Sequence, residues 1–293
     1  MTEARGEVLC FGEVLWDFLP DGRHVGGAPL NVAYHLQRLG QPVRVVSAVG
    51  ADELGDELLC QLRQWHLPTD GVVRQAARPT GYVRAALGPG GDARYEIAAE
   101  VAWDRIELTA GTLQAATTAR AVVFGSLAQR SADNRQALAR LLGTLPADAA
   151  RIFDVNLRPP HDDLTLVRAL AARATVLKLN ADEAARLAEG AAGGEEACAR
   201  HLRTQFGCAW VCVTAGARGA GLLHAGRWHW EPARPVAVGD TVGAGDAFLA
   251  AWLFHFLGGS PDAAEILARA CRLGEWVAGR RGATPTYDPS TPT

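Results

Sequence analysis

Short apolar runs alternate with amphipathic stretches of helical length along most of this chain, and that alternation constrains its fold more than any other feature. Residues 8–11, 43–49, 121–124, 151–155, 175–179 and 210–213 read as buried strands. Residues 29–39, 52–65, 134–145, 162–173, 181–188 and 195–206 read as helices between them, with the run from 247 and residues 261–279 closing the domain. Such units need crossover connections, so the expected architecture is α/β, a mostly parallel sheet with helices on both faces. Two segments break the rhythm. Residues 13–19 read as a strand following the first with no helix between, and 80–87 with 94–101 read as a hairpin turned at Gly88-Pro89-Gly90-Gly91-Asp92. Such a patch does not readily join a parallel sheet and is expected to stand off its edge as a lid. No internal repeat or long linker is evident, and residues 288–293 read as a loose tail.

The decapeptide Gly239-Asp240-Thr241-Val242-Gly243-Ala244-Gly245-Asp246-Ala247-Phe248 carries the strongest chemical signal. Residues 247–257 after it are apolar almost throughout and read as a buried helix. The first N–H groups of a helix have no internal partners, and its dipole places partial positive charge there. Gly243 and Gly245 carry no Cβ to block a ligand's approach. The product is an anion cradle with a carboxylate, Asp246, on its rim, suited to holding a phosphate beside a general base.

Composition narrows the classes. The 293 residues suit one large domain or two modest ones, and a net charge of -3 gives no support to nucleic-acid or acidic-membrane binding. The N-terminal residues are polar, the next apolar stretch is broken by Glu13 and Asp17, and no charge-free stretch approaches a membrane span. The six cysteines (10, 60, 198, 208, 212, 271) form no C-x-x-C pair and no zinc spacing; Cys208 and Cys212 read as core thiols. A reduced, soluble, cytoplasmic protein is expected. The sole lysine, Lys178, follows Ala174-Thr175-Val176-Leu177 with no glycine loop, so a Walker-type phosphate loop is excluded. A nucleotide site here must depend on backbone N–H groups, arginine and a metal.

A second motif lies upstream, Gly26-Gly27-Ala28-Pro29-Leu30-Asn31-Val32-Ala33, running into a helix that ends at Gly40. Pro29 suits an early helical position, and Asn31 offers both donor and acceptor, the mixed pattern a neutral polyol needs. Asp17 is placed to accept hydroxyl protons.

Together these motifs resemble the PfkB (ribokinase-like) carbohydrate kinase family over almost the entire chain. Residues 26–40 resemble its N-terminal signature and 240–248 its C-terminal one. Asp154-Val155-Asn156-Leu157-Arg158, Asn180-Ala181-Asp182-Glu183 and Thr214-Ala215-Gly216-Ala217-Arg218-Gly219 match further motifs in the expected order. The resemblance implies a three-layer α/β/α fold with a small β-sheet lid, residues 1–293 forming one domain and the lid built from about 13–31 and 72–106. It implies phosphoryl transfer from ATP to a sugar hydroxyl, with Asp246 as base and the Gly243, Ala244 and Gly245 N–H groups holding the developing charge. Arg158 would add a guanidinium near the phosphates or the sugar. Asn180 and Glu183 would organise Mg2+ through water, and Thr214, Gly216 and Gly219 would lie against the nucleotide. Asp17, Gly27 and Asn31 would bind sugar hydroxyls. Asp240, with the loop 279–282, matches the place where some relatives hold K+, although Gly279 stands where Ser or Thr is common. A homodimer through the lid's outer face is a further implication.

Residues 10–17, Ala102-Trp103-Asp104 and Phe124-Gly125-Ser126-Leu127-Ala128 most resemble bacterial fructokinase-like members, which points to fructose phosphorylated at O6. The Asp-x-Asn-x-Arg segment is shared with 2-keto-3-deoxygluconate kinases; that acid would need a further arginine, for which Arg84 and Arg94 are candidates. A sugar- or nucleotide-binding protein without catalysis is the alternative of another class.

Overall fold

The computed structural model describes residues 6–20, 22–87, 93–189, 193–259, 262–288 and 290–292. Its strands are β1 (Val8–Phe11), β2 (Leu15–Leu19), β3 (Gly22–Gly26), β4 (Val43–Gly50), β5 (Val72–Gln75), β6 (Gly81–Leu87), β7 (Ala93–Ile97), β8 (Ala121–Gly125), β9 (Ala150–Asp154), β10 (Val176–Asn180), β11 (Trp210–Thr214), β12 (Gly219–His224) and β13 (Arg227–Pro232). The helices are α1 (Ala28–Arg38), α2 (Glu53–Gln64), α3 (Ala110–Ala116), α4 (Ala132–Thr144), α5 (Leu164–Ala171), α6 (Ala181–Leu187), α7 (Gly194–Phe206), α8 (Ala244–Leu257) and α9 (Ala263–Ala278).

A nine-stranded sheet runs β13-β12-β11-β10-β9-β8-β1-β4-β5, parallel from β11 to β5, with β12 and β13 added antiparallel. Strand alternation divides its side chains between two cores. Val8 and Cys10 pack with α1, α2, α8 and α9, whereas Leu9 and Phe11 face α3 to α7. Burial on both faces explains why these strands read as unbroken apolar runs. α8 is apolar all round because it lies between α1 and α9, with Leu249, Trp252 and Leu253 inaccessible. No helix of the described residues is long and apolar enough to cross a membrane.

The second sheet has four strands, β3-β2-β6-β7, and hydrogen-bonds separately from the first. Alternation places Asp17, His24 and Val83 on one of its faces and Trp16, Phe18, Tyr82 and Arg84 on the other. Trp103 fastens this sheet to the larger one. It is fully buried against Gly81, Arg130 lies 4.1 Å over its ring, and the same guanidinium grips Asp104 at 2.7 and 2.8 Å.

Several expectations are corrected. β3, β5, α3, β12 and β13 were not legible: the first two are short edge strands, and glycines interrupt the alternation of β12. The turn joining β12 to β13 uses Ala225 and Gly226 at positive φ, not the Asn-Gly or Asp-Gly pair that marks a hairpin in sequence. The strand read from residue 13 begins at Leu15, and the hairpin's second strand ends at Ile97. The expected turn at Gly88–Asp92 lies outside the described residues. The C-terminal segment is not loose where it is described. Tyr287 Oη pairs with His35 Nδ1 at 2.9 Å, Arg280 reaches Asp288 at 3.3 Å, and Asp288 closes a turn with Ser290 and Thr291.

Candidate active site

The carboxyl ends of the parallel strands open on one crevice. β1 is the sheet's switch point, with β4 and β5 laid down on one side and β8 to β11 on the other, and open α/β sheets bind ligands at such a place. Gly12 and Glu13 follow β1, and Ser126 follows β8. Asp154, Asn180 and Thr214 end β9, β10 and β11.

At the start of α1, a Cβ on Gly27 (φ 116°) would collide with the Glu13 carbonyl, and one on Gly26 with the Asp17 carboxylate. The paired glycines therefore let the strand turn into the helix against those groups. One turn on, Asn31 Nδ2 donates to Asp246 Oδ2 at 2.8 Å, joining α1 to α8. Among the described residues no donor engages Asp246 Oδ1. Burial first, and the charge of Asp154 second, push the Asp246 carboxyl up to about 6, against Lys178, the Asn31 bond and Arg158. Burial also lifts Asp17 to about 6, against the pull of His24 and Arg158. Arg158 is exposed, donates to the Leu157 carbonyl at 3.0 Å, and lends its charge to Glu13, Asp17 and Asp246.

Gly243, left-handed at φ 78°, caps α8. The first intrahelical bond runs from the Ala247 N–H to the Gly243 carbonyl, and the Ala244 N–H turns to the Thr241 carbonyl at 3.3 Å. Among the described residues the Gly243 and Gly245 N–H groups have no such partner, and they sit at the positive end of the helix dipole. Ala283 packs where a Gly243 side chain would lie, and the Ala283 carbonyl accepts from His35 Nε2 at 2.9 Å. Burial holds His35 down to about 4, so the neutral ring accepts at Nδ1 from Tyr287 and donates at Nε2. α1 thereby supports both ends of the cradle.

Beneath the cradle lies a group that sequence reasoning missed. Lys178 Nζ bonds both oxygens of Asp154, at 3.0 and 3.1 Å, in a pair only 6% and 3% exposed. A methyl on Gly245 would sit 3.0 Å from that ammonium. The lysine dismissed for want of a glycine loop thus approaches the anion cradle from the sheet side. Its signal was present: a lone lysine in an arginine-rich chain, inside an apolar strand. Glu13 was missed as well, having been read only as an interruption.

On the other side, Asn180 and Thr214 are register partners across β10 and β11. Asn180 caps α6 through a reciprocal box in which Asn180 Oδ1 accepts the Glu183 N–H at 2.9 Å and Glu183 Oε2 accepts the Asn180 N–H at 2.8 Å. Glu183 Oε1 accepts the Leu157 N–H at 2.7 Å. Each carboxylate oxygen keeps a further lone pair, the capacity required to hold water around a magnesium ion. Gly216 (φ 57°) and Gly219 (φ 124°) bend the segment after Thr214, and a side chain on Gly219 would strike the Glu231 carbonyl. Asp240 accepts from the Val242 and Gly282 N–H groups at 3.0 and 3.3 Å, tying the cradle to the loop 279–282, so a cation there would share oxygens already engaged. Val238 and Val242, two residues to either side of Asp240, are 66% and 51% exposed. No cluster of three or more His, Cys, Asp or Glu that would hold a metal occurs among the described residues.

A mostly parallel sheet between helix layers, a small separate sheet, and a glycine-lined helix start beside an aspartate together define a ribokinase-like α/β protein. The chain belongs to the pfkB family of carbohydrate kinases, whose pattern matches residues 20–290. A Pyrococcus horikoshii chain named as a sugar kinase is 30% identical over 267 residues, covering 86% of this chain and 83% of the other. A Klebsiella pneumoniae fructokinase is 28% identical over 282 residues, covering 92% and 91%. The crystal structure of a Xylella fastidiosa fructokinase with bound ATP superposes with a TM-score of 0.84 at 25% identity, covering 96% and 94%.

Proposed function

We propose that this carbohydrate kinase transfers the γ-phosphoryl group of ATP to O6 of fructose. The observation that carries the reading is the placement of Asp246, held by Asn31 at the first turn of α8 with one oxygen free. Asp246 Oδ1 takes the proton of the sugar hydroxyl as its oxygen bonds to the γ-phosphorus and the bond to ADP breaks. The unpartnered Gly243 and Gly245 N–H groups, with that of Ala244 shared with the Thr241 carbonyl, face the transferred group, and preorganised donors of this kind stabilise its charge without reorganising. Arg158 supplies a guanidinium across the crevice. Asp17, Gly27 and Asn31, the last through its second Nδ2–H, line the sugar side, and Asn180, Thr214, Gly216 and Gly219 the nucleotide side. The residues around Glu183 fit Mg2+, which when bound neutralises charge on the phosphates. The smaller sheet, within residues 13–31 and 72–106, acts as a lid on the single domain.

The ATP bound in the Xylella relative supports the donor, and the two fructokinases support the sugar. Arg84 weakens the case for a sugar acid. It lies over Phe18 and Tyr82, at 5.4 and 4.7 Å, on the face opposite Asp17. The side chain of Arg94 lies outside the described residues. With Arg84 on the opposite face, a crevice lined by Asp17 and Asp246 favours a neutral polyol over 2-keto-3-deoxygluconate.

An ADP-release assay with Mg·ATP against fructose, 2-keto-3-deoxygluconate, ribose, tagatose and adenosine tests this. Fructose is expected to give the highest kcat/KM, and dominance by the sugar acid would overturn the assignment. The Phe18, Tyr82 and Arg84 face also suits pairing of two copies through the lid. Light scattering at twice the 31.0 kDa chain mass is the expected result, and a monomer at assay concentration would remove the dimer.

A further inference from the structure

Among the described residues, two buried oxygens in the crevice lack any donor, Glu13 Oε2 and Asn31 Oδ1. Their residues are 2% and 5% exposed, and a polar atom buried without a partner is costly. Glu13 Oε1 is engaged: it accepts the Ala28 N–H at 3.3 Å, capping α1 where Gly27 has no side chain to do so. Asn31 lies three residues beyond Ala28, on the same face of the helix. The acid and the carboxamide are thus brought to one face, each with a bare oxygen. A substrate hydroxyl does not reach oxygens closed to solvent, and a carboxylate offers no hydrogen. One proton on Glu13, shared between the two oxygens, would satisfy both.

We infer that Glu13 is a positioning residue that keeps its proton in the free enzyme and donates it from Oε2 to Asn31 Oδ1, fixing the carboxamide whose Nδ2–H holds Asp246. The chain of bonds then runs from Glu13 through Asn31 to Asp246. It leaves Asp246 Oδ1 pointed by a side chain that has itself been oriented. Only the consequence for turnover rests on the kinase reading above.

The surrounding charges agree. Arg158, from the segment after β9, and Asp246, on α8, face Glu13, and α1 contributes the Ala28 N–H. Burial, assisted by Asp246, raises Glu13 to about 7 in spite of the backbone N–H groups and Arg158. The raised value means that the proton is held below that pH and lost above it. Deprotonation would leave Glu13 and Asp246 both negative, with the Asn31 carboxamide unsupported on one side. A decline of kcat/KM, which reports the free enzyme, is therefore expected as pH rises past 7.

Glu13→Gln places an amide donor where the acid stood, and Glu13→Leu removes it. The glutamine variant is expected to keep the wild-type rate at pH 7 within about threefold and to lose the alkaline decline, because an amide does not titrate. The leucine variant, folded by thermal unfolding, is expected to lose about 10- to 100-fold in kcat, the scale of a misplaced catalytic group. Infrared spectroscopy gives a reading independent of turnover and of any sugar: a protonated-carboxyl C=O band at pH 6 that fades by pH 9 and is absent from Glu13→Gln. Absence of a Glu13-dependent band at pH 6 would overturn the proposal. So would a folded Glu13→Gln as impaired as Glu13→Leu, or one whose pH profile superimposes on the wild type. Inactivity on every sugar with the band present would count against the substrate reading and leave the proton assignment standing.

Discussion

Asp246→Asn is expected to lower kcat by about 10²–10⁴-fold, the contribution of a positioned general base, while KM for ATP changes little. The substitution is nearly isosteric. An asparagine oxygen still accepts from Asn31 Nδ2, so the link between α1 and α8 survives and only the proton acceptor is lost. The pH dependence should change with it. Burial and the Asp154 charge hold the Asp246 carboxyl at about 6, so wild-type kcat/KM is expected to fall as pH drops through that value. The residual activity of the variant should show no such acid limb. Stability should move the other way. A carboxyl raised above its unfolded value contributes stability below the unfolded pKa of about 4, and that contribution is lost as pH rises through 6. At pH 8 the variant should therefore unfold at a temperature no lower than the wild type, which separates lost chemistry from lost fold. A fall in kcat of less than about tenfold would leave Asp246 only an orienting role.

The parts of this molecule legible in its sequence are those whose physics is local. Strands β1, β4, β8, β9, β10 and β11 are buried on both faces and announce themselves as apolar runs. The start of α8 is written in Gly243 and Gly245, because only glycine accepts that backbone and that approach. What escaped depends on partners distant in the chain. Lys178 looks like a misplaced charge until Asp154, at the end of the preceding strand, is placed beside it as its register partner. Glu13 looks like a break in a strand until α1 brings Ala28 and Asn31 against it. Asp104 and Arg130 form a strut only after the chain between them has packed. Residue types announced chemistry, but pairing across the sheet was needed to assign these charges a place.

The Lys178–Asp154 pair yields the other large effect, this one on stability. Replacing Lys178 by Met removes the only ammonium bonded to Asp154 among the described residues and leaves a carboxylate that is 3% exposed without its cation. Breaking one side of so deeply buried a pair costs about 3–5 kcal/mol. The penalty is that of a carboxylate left without a cation in a site water scarcely reaches. Urea unfolding of wild type and variant measures that loss directly. The double variant Asp154→Asn, Lys178→Met leaves no buried net charge and should recover much of the loss, since the two sites are in contact and their effects do not add. Its activity should stay low if the ammonium also serves the cradle. Gly245 lies against Lys178 Nζ, and on the proposed reading the positive charge beneath it would favour the transferred phosphoryl group. Recovery of stability without recovery of kcat would assign the lysine to the chemistry of the cradle. Recovery of both would make the pair a structural element alone.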